Sequence, residues 1–191
     1  MKSVGCQPNI AFGHRAEEWK SDPKHLSFVL ARYTFVSKML NKHDRVLEIG
    51  AGDGWASEIV RKSVSELVCT DIKATDGVWG HDILEGPIRG FDAAYALDVY
   101  EHVDPSQGWV FLKHMAECVI DRGVVIIGVP SIESQAYATQ RAEHINCMTA
   151  AELKNAMRDH FHPVFMFGMN DSTLHTGFDQ MRHYNFALGV K

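Results

Sequence analysis

Apolar residues recur at three- and four-residue steps from His25 to Lys42 (Leu26, Val29, Leu30, Tyr33, Val36, Met39, Leu40). That spacing predicts an amphipathic helix with one face against a core. The period then changes. Arg45 to Ile49 is a short, mostly apolar run stopped by glycines, as expected of a buried parallel strand. Trp55 to Lys62 follows as a helix and Leu67 to Thr70 as a second strand ending at Asp71. Gly77 to Ile83 is a weak third strand, and Phe91 to Leu97 a fourth ending at Asp98. Pro105 to Ile120 carries another helical pattern, with Pro105 near the first turn, where a missing N–H costs little. Gly123 to Val129 reads as a fifth strand closed by Pro130. Thr149 and Glu152 match a capping box opening a helix to about His160. Val164 to Met169 and Tyr184 to Val190 predict two closing strands, with 170–177 as a solvated hairpin loop between them.

Strand alternating with helix this often predicts an α/β fold, a doubly wound sheet of seven strands with ligands at the strands' carboxyl ends. The gap between strands three and four is too short for a full helix. Residues 1–24 are polar and punctuated by Pro8, Gly13 and Pro23, so they read as an arm leading into a single domain spanning 1–191.

Composition adds limits. The chain has 191 residues, 46% hydrophobic and 23% charged, in keeping with one globular domain. Its net charge of −5 provides no basic footprint for a nucleic-acid backbone, so nucleic acid is not expected as a partner. Cys6, Cys69, Cys118 and Cys147 are scattered without a C-x-x-C pair, which predicts free thiols in a reducing compartment. No signal-peptide core or bilayer-length apolar run is present. The expectation is a cytoplasmic protein, monomeric or homodimeric, with no membrane partner.

The chemistry concentrates at Val46-Leu47-Glu48-Ile49-Gly50-Ala51-Gly52-Asp53-Gly54. A strand, a glycine turn and a helix can hold several nucleotide-like ligands, because a loop without side chains lets a ligand lie against its backbone. The dinucleotide fingerprint requires a third glycine for close helix–strand packing. Trp55 stands there instead, which disfavours NAD. Asp71, at the next strand end, can accept hydrogen bonds from both ribose hydroxyls of an adenosine. By itself that role suits NAD equally well.

Glu48-x-Gly50-x-Gly52-x-Gly54 after two apolar residues resembles motif I of class I S-adenosylmethionine-dependent methyltransferases. Asp71, Asp82 and Asp98 at successive strand ends agree with it in order and spacing, over roughly Arg45 to Pro130. The resemblance implies a Rossmann-like, mostly parallel seven-stranded sheet with its last strand antiparallel, and S-adenosylmethionine as cofactor. It assigns Glu48, Gly50, Ala51 and Gly52 to the cofactor loop, and Asp71 to the ribose. Asp82 falls near the adenine amine, Ile72 and Ile83 on the adenine face, and Asp98 near the methionine end. Asp82 reads equally as a turn residue, and the two isoleucines equally as core.

Leu97 to Val103, with Asp98, Glu101, His102 and Val103, is similar to the D-x-x-E-H-V motif of small-molecule methyltransferases such as those of ubiquinone biosynthesis. The prolines of an amino-group nucleic-acid methylase and the Pro-Cys of a cytosine-C5 enzyme are both missing. The implied substrate is a small polar acceptor such as a sugar or quinone precursor, methylated on oxygen or nitrogen. Methyl transfer needs in-line positioning more than a side-chain nucleophile. A hydroxyl acceptor gains from a base titrating near neutrality, and His102 and His144 are the candidates. Some members of this group recruit a divalent cation through an acid-x-x-Glu-His cluster. Asp98, Glu101 and His102 have that pattern, yet no further ligand is obvious in the sequence, so no metal is expected. The alternative to an enzyme is a non-catalytic cofactor-binding partner subunit.

Overall fold

The computed structural model describes residues 21–133 and 144–191. Twelve named elements frame the site. Helix α1 spans Pro23–Met39 and strand β1 Arg45–Ile49. Helix α2 is Ser57–Arg61, followed by β2 Glu66–Asp71, β3 Trp79–Gly80 and β4 Phe91–Leu97. Helix α3 is Gly108–Cys118 and β5 Val119–Pro130. Helix α4, Ala150–Arg158, precedes β6 Val164–Asn170, β7 Thr173–His175 and β8 Tyr184–Val190.

The strands form one sheet in the order β3-β2-β1-β4-β5-β8-β6-β7. The first five run parallel, and β8 runs antiparallel between β5 and β6. The sheet therefore has eight strands rather than the expected seven. The extra one, β7, turns back on β6 and pairs Met169 with Leu174 and Asn170 with Thr173. It lies inside the segment expected to be a loop. Its pattern is too short and polar to register as a strand, and a left-handed Asp171 (φ 54) makes the turn.

Other boundaries shift for local reasons. The Pro105 helix opens as a 3-10 turn over Pro105–Gln107, capped by the Asp104 side chain on the Ser106 N–H, and becomes α-helical at Gly108. Strand β5 begins at Val119, four residues before the expected Gly123, because Val119 already pairs with Phe91 across a register irregularity. The link from β3 to β4 contains no helix, as its length dictates. Thr149 and Glu152 form a complete capping box at α4.

Alternation along the strands divides the core into two layers. Leu47 and Ile49, with Ala94 and Ala96 and with Val125 and Ile127, pack on α3 and α4. Val46, Tyr95 and Ile126 face the opposite way, onto Tyr33, Val36 and Val60 of α1 and α2. Parity fixes the fate of Glu48. It shares the face of Val46 and so points into the α1 layer, 1% exposed. There it accepts the Tyr33 hydroxyl (2.8 Å) and lies 3.4 Å from the Cys69 thiol. Burial pushes its pKa up, opposed by bonds from Ser57, Tyr33, Tyr95 and Cys69. Among the described residues, the cysteines Cys69, Cys118 and Cys147 are free thiols, and no helix is long and apolar enough to cross a membrane.

Candidate active site

The carboxyl ends of β1, β2 and β4 open into a cavity of about 490 Å³, lined by Gly50, Asp71, Ile72, Asp82, Ile83 and Asp98 among others. The loop after β1 is fixed from below: the Gly50 and Ala51 N–H groups donate to the Thr70 carbonyl (2.8 and 3.0 Å). Gly50 needs its missing side chain twice over. Its φ is +77°, and an added Cβ would sit 2.2 Å from Cγ2 of Val99. Gly52 donates its N–H to Oδ2 of Asp71 (2.9 Å), and Lys73 donates to Oδ1 (3.1 Å). These bonds aim the Asp71 carboxylate and leave it on the cavity wall.

Of the residues expected to hold the cofactor, six line this cavity. Glu48 does not, because it is committed to the Tyr33 layer. Ala51 and Gly52 are also absent from the wall; they shape the loop rather than face the space. Asp82 combines its two readings, since it lines the cavity while its Oδ1 accepts the Leu84 N–H (2.9 Å) of a turn. Ile72 is 73% exposed, whereas Ile83 is buried in the core layer and meets the cavity from beneath. Tyr33 and Phe35 are core as well, Phe35 stacking within 4.3 Å of the Phe186 ring centroid.

A second cavity of about 630 Å³ adjoins the first, with Asp98 and His102 on the walls of both. Its lining adds Lys24, Arg32, Glu101, His144, His183 and Tyr184, among others. Asp98 holds a left-handed backbone (φ 56), a conformation that Asp tolerates better than most residues and that recurs at functional sites. Its N–H donates to the Gly128 carbonyl (3.1 Å) and the Tyr184 hydroxyl (3.2 Å).

Arg32 of α1 is the residue the sequence did not flag. Its Nη1 donates to both carboxylate oxygens of Asp98 (2.9 and 2.7 Å), and its guanidinium lies 4.0 Å from the Tyr184 ring centroid. Burial by itself would lower its pKa, but Asp98, Tyr184 and Glu101 raise it overall. One feature could have revealed it: a cation on the face of a helix whose neighbours Val29, Tyr33 and Val36 are apolar.

His102 and His144 meet, although 42 positions separate them in sequence. Their ring centroids are 4.9 Å apart at 77°. The contact is organised by the buried Asn146, whose N–H donates to the Glu101 carbonyl (2.9 Å) and whose side-chain amide donates to the Tyr100 carbonyl (3.1 Å). A bridge from Ser131 to Met148 holds the same segment beside the end of β5. Asn146→Ala is expected to cost about 0.5–1.5 kcal/mol by removing a buried hydrogen bond to the Tyr100 carbonyl, which keeps the Val103 N–H, and to slow turnover by displacing His144. Chemical denaturation and steady-state rates check both effects.

One carboxylate oxygen of Glu101 and one ring nitrogen each of His102 and His144 lie within 4.8 Å of one another. Ligands about 2.0–2.2 Å from a common metal stand roughly 3–4 Å apart, so a small inward movement would bring all three onto one ion. This donor set is one that could hold a divalent cation, and His144 would then be the further ligand not apparent from sequence spacing. Two imidazoles and one carboxylate suit borderline transition metals with open coordination positions. Asp98 is not in the cluster, because its carboxylate is turned to Arg32.

Comparisons with known proteins agree with this architecture. A S-adenosylmethionine-dependent methyltransferase from Archaeoglobus fulgidus superposes with a TM-score of 0.71 at 17% identity, covering 94% of this chain and 100% of that one. The Burkholderia thailandensis 1,6-didemethyltoxoflavin-N1-methyltransferase, solved with its substrate and S-adenosylhomocysteine, gives 0.67 at 15% identity, over 95% of this chain and 84% of that one. The small RNA methyltransferase HEN1 gives 0.68 at 15% identity, over 84% of this chain and 25% of the larger protein. At these identities the likeness is one of fold. No curated protein matches the sequence. The family model described as a methyltransferase domain matches residues 11–160, and the chain therefore belongs to the methyltransferase-domain family.

Proposed function

We propose that the protein transfers the methyl group of S-adenosylmethionine to a hydroxyl oxygen of a small polar acceptor. The observation that carries this reading is the meeting of two cavities at Asp98 and His102. A donor in the first, with its adenosine toward Asp71 and Asp82, would face an acceptor in the second. The second cavity's size suits a metabolite-sized ligand, and the net charge of −5 favours such a ligand over an RNA backbone.

The reaction needs little covalent help from the protein. The acceptor oxygen attacks the methyl carbon, the C–S bond breaks, and its electron pair stays on sulfur to leave S-adenosylhomocysteine. The acceptor's proton must depart, lost to solvent as the hydroxyl binds or taken up by one of the imidazoles, and here Glu101, His102 and His144 enter. A divalent cation held by these three would act as a Lewis acid, lowering the pKa of a bound hydroxyl. The chain's own contribution is to orient the acceptor and exclude water. Holding a cation also gives the two histidines a common purpose that one general base would not need.

Transfer of labelled methyl groups to a panel of sugars, phenols and other hydroxylated metabolites, with oligoribonucleotides alongside, tests the reading. Product on a small hydroxylated acceptor supports it, and product on RNA alone overturns it. Tight cofactor binding without product from any acceptor would favour a non-catalytic partner subunit. For the cofactor cavity, Asp71→Ala is expected to weaken S-adenosylhomocysteine binding by about 1.5–3 kcal/mol, the worth of lost charge-assisted bonds. Part of that loss would come from releasing the Gly52 N–H. An unchanged dissociation constant by calorimetry in the folded variant would remove Asp71 from the site.

A further inference from the structure

Asp98, Glu101, His102 and His144 all line one cavity, yet only the last three bring ligand atoms together. Sequence spacing alone would group Asp98 with Glu101 and His102. The difference lies in α1. Arg32 occupies both oxygens of the Asp98 carboxylate, at 2.9 and 2.7 Å, and is pinned over Tyr184. The side chains are 15% and 36% exposed, so the guanidinium is largely shielded while the Asp98 carboxylate keeps one side open to the cavities. The Tyr184 hydroxyl also receives the Asp98 N–H, so one aromatic residue supports both partners.

We propose that Arg32 is a specificity-determining residue that withholds Asp98 from the cation, leaving a site of one carboxylate and two imidazoles. The inference rests on the cation reading given above and adds to it which ion is chosen. Magnesium prefers oxygen ligands in near-octahedral geometry and binds mainly through carboxylates and phosphates. Imidazole nitrogens favour iron, cobalt, nickel and zinc. With Asp98 held away, the site selects the borderline metals. With Asp98 released, a second carboxylate would join and magnesium would become competitive.

Calorimetric titration of the full chain with CoCl2 and with MgCl2, without cofactor, tests this directly. The natural protein is expected to bind Co2+ at least 10-fold more tightly than Mg2+. Arg32→Gln is expected to narrow that ratio by about 10-fold through tighter Mg2+ binding, and adding Asp98→Asn should restore the wide ratio. A ratio unchanged by Arg32→Gln overturns the inference while leaving the cation site standing. A gain that survives in the double variant does the same, because it would come from charge removal and not from Asp98. Failure of both the natural protein and Arg32→Gln to bind either ion overturns the cation reading and this inference together. Should Arg32→Gln fail to fold, Asp98→Asn carries the test through the visible absorption of bound Co2+. Unchanged bands are expected if Asp98 is no ligand, and shifted bands would overturn the proposal.

Discussion

Gly50→Ala is expected to destabilise the protein by about 2–4 kcal/mol and to weaken cofactor binding at least 100-fold. Two costs combine. An L-residue held in the left-handed region costs roughly 1–2 kcal/mol, and φ at this position is +77°. The new Cβ would also sit 2.2 Å from Cγ2 of Val99, a distance no real contact sustains. Relief must come from moving Val99 or the loop. The Gly50 and Ala51 N–H groups are tied to the Thr70 carbonyl, so the loop yields only by breaking strand-end hydrogen bonds. Val99 yields by moving into the cavity it lines, where the cofactor is expected. Gly52→Ala provides the control, since its φ is +60° but nothing lies within 4 Å of the added carbon. It should cost only the conformational part, about 1–2 kcal/mol. Urea denaturation together with S-adenosylhomocysteine titration separates the two variants. Equal effects would show that backbone strain alone, and not the clash with Val99, governs the loop.

The contrast between these glycines bears on what sequence can reveal. Both stand in one motif and look alike in one dimension, because the motif records where a side chain is forbidden and not what it would strike. The same holds for Glu48. Its position just before the glycines suggests a cofactor ligand, but strand alternation sends it to the face of Val46, into the layer with Tyr33. Parity was available in the sequence; what lay on each face was not, because that depends on α1 crossing one side of the sheet. Local signals were reliable where the physics is local. The strand-end acids Asp71, Asp82 and Asp98 do reach one cavity, as expected when parallel strands end together, and Thr149 with Glu152 does cap α4. Features built by long-range packing were hidden. Arg32 meets Asp98 across 66 positions, and His144 reaches His102 from a segment that Asn146 ties to the Tyr100–His102 turn. The eighth strand was hidden for a different reason. Three residues with one apolar side chain carry no detectable period, and β7 exists because β6 offers it an edge.

Glu101→Gln is expected to reduce turnover by about 10²–10³ while leaving cofactor affinity within a factor of two. The substitution keeps the size of a side chain that is fully buried and keeps the backbone carbonyl that receives the Asn146 N–H, so the turn should hold. What it removes is the charge that draws a cation or a proton toward His102 and His144. Losing a metal's Lewis acidity, or an acid–base partner, costs this order of magnitude in comparable reactions. His144→Ala should produce a similar loss, and the double variant little more than either alone, because groups that act as a unit are strongly non-additive. Losses that multiply would mean instead that the two residues act independently, with His144 serving as a base and Glu101 only supporting the turn. The cofactor measurement gives the experiment its second edge. Glu101 and His144 line the second cavity, proposed for the acceptor, and are absent from the wall of the first. A fall in S-adenosylhomocysteine affinity matching the fall in rate would show that the two cavities do not divide donor from acceptor, and the assignment of roles around Asp98 and His102 would have to be reversed.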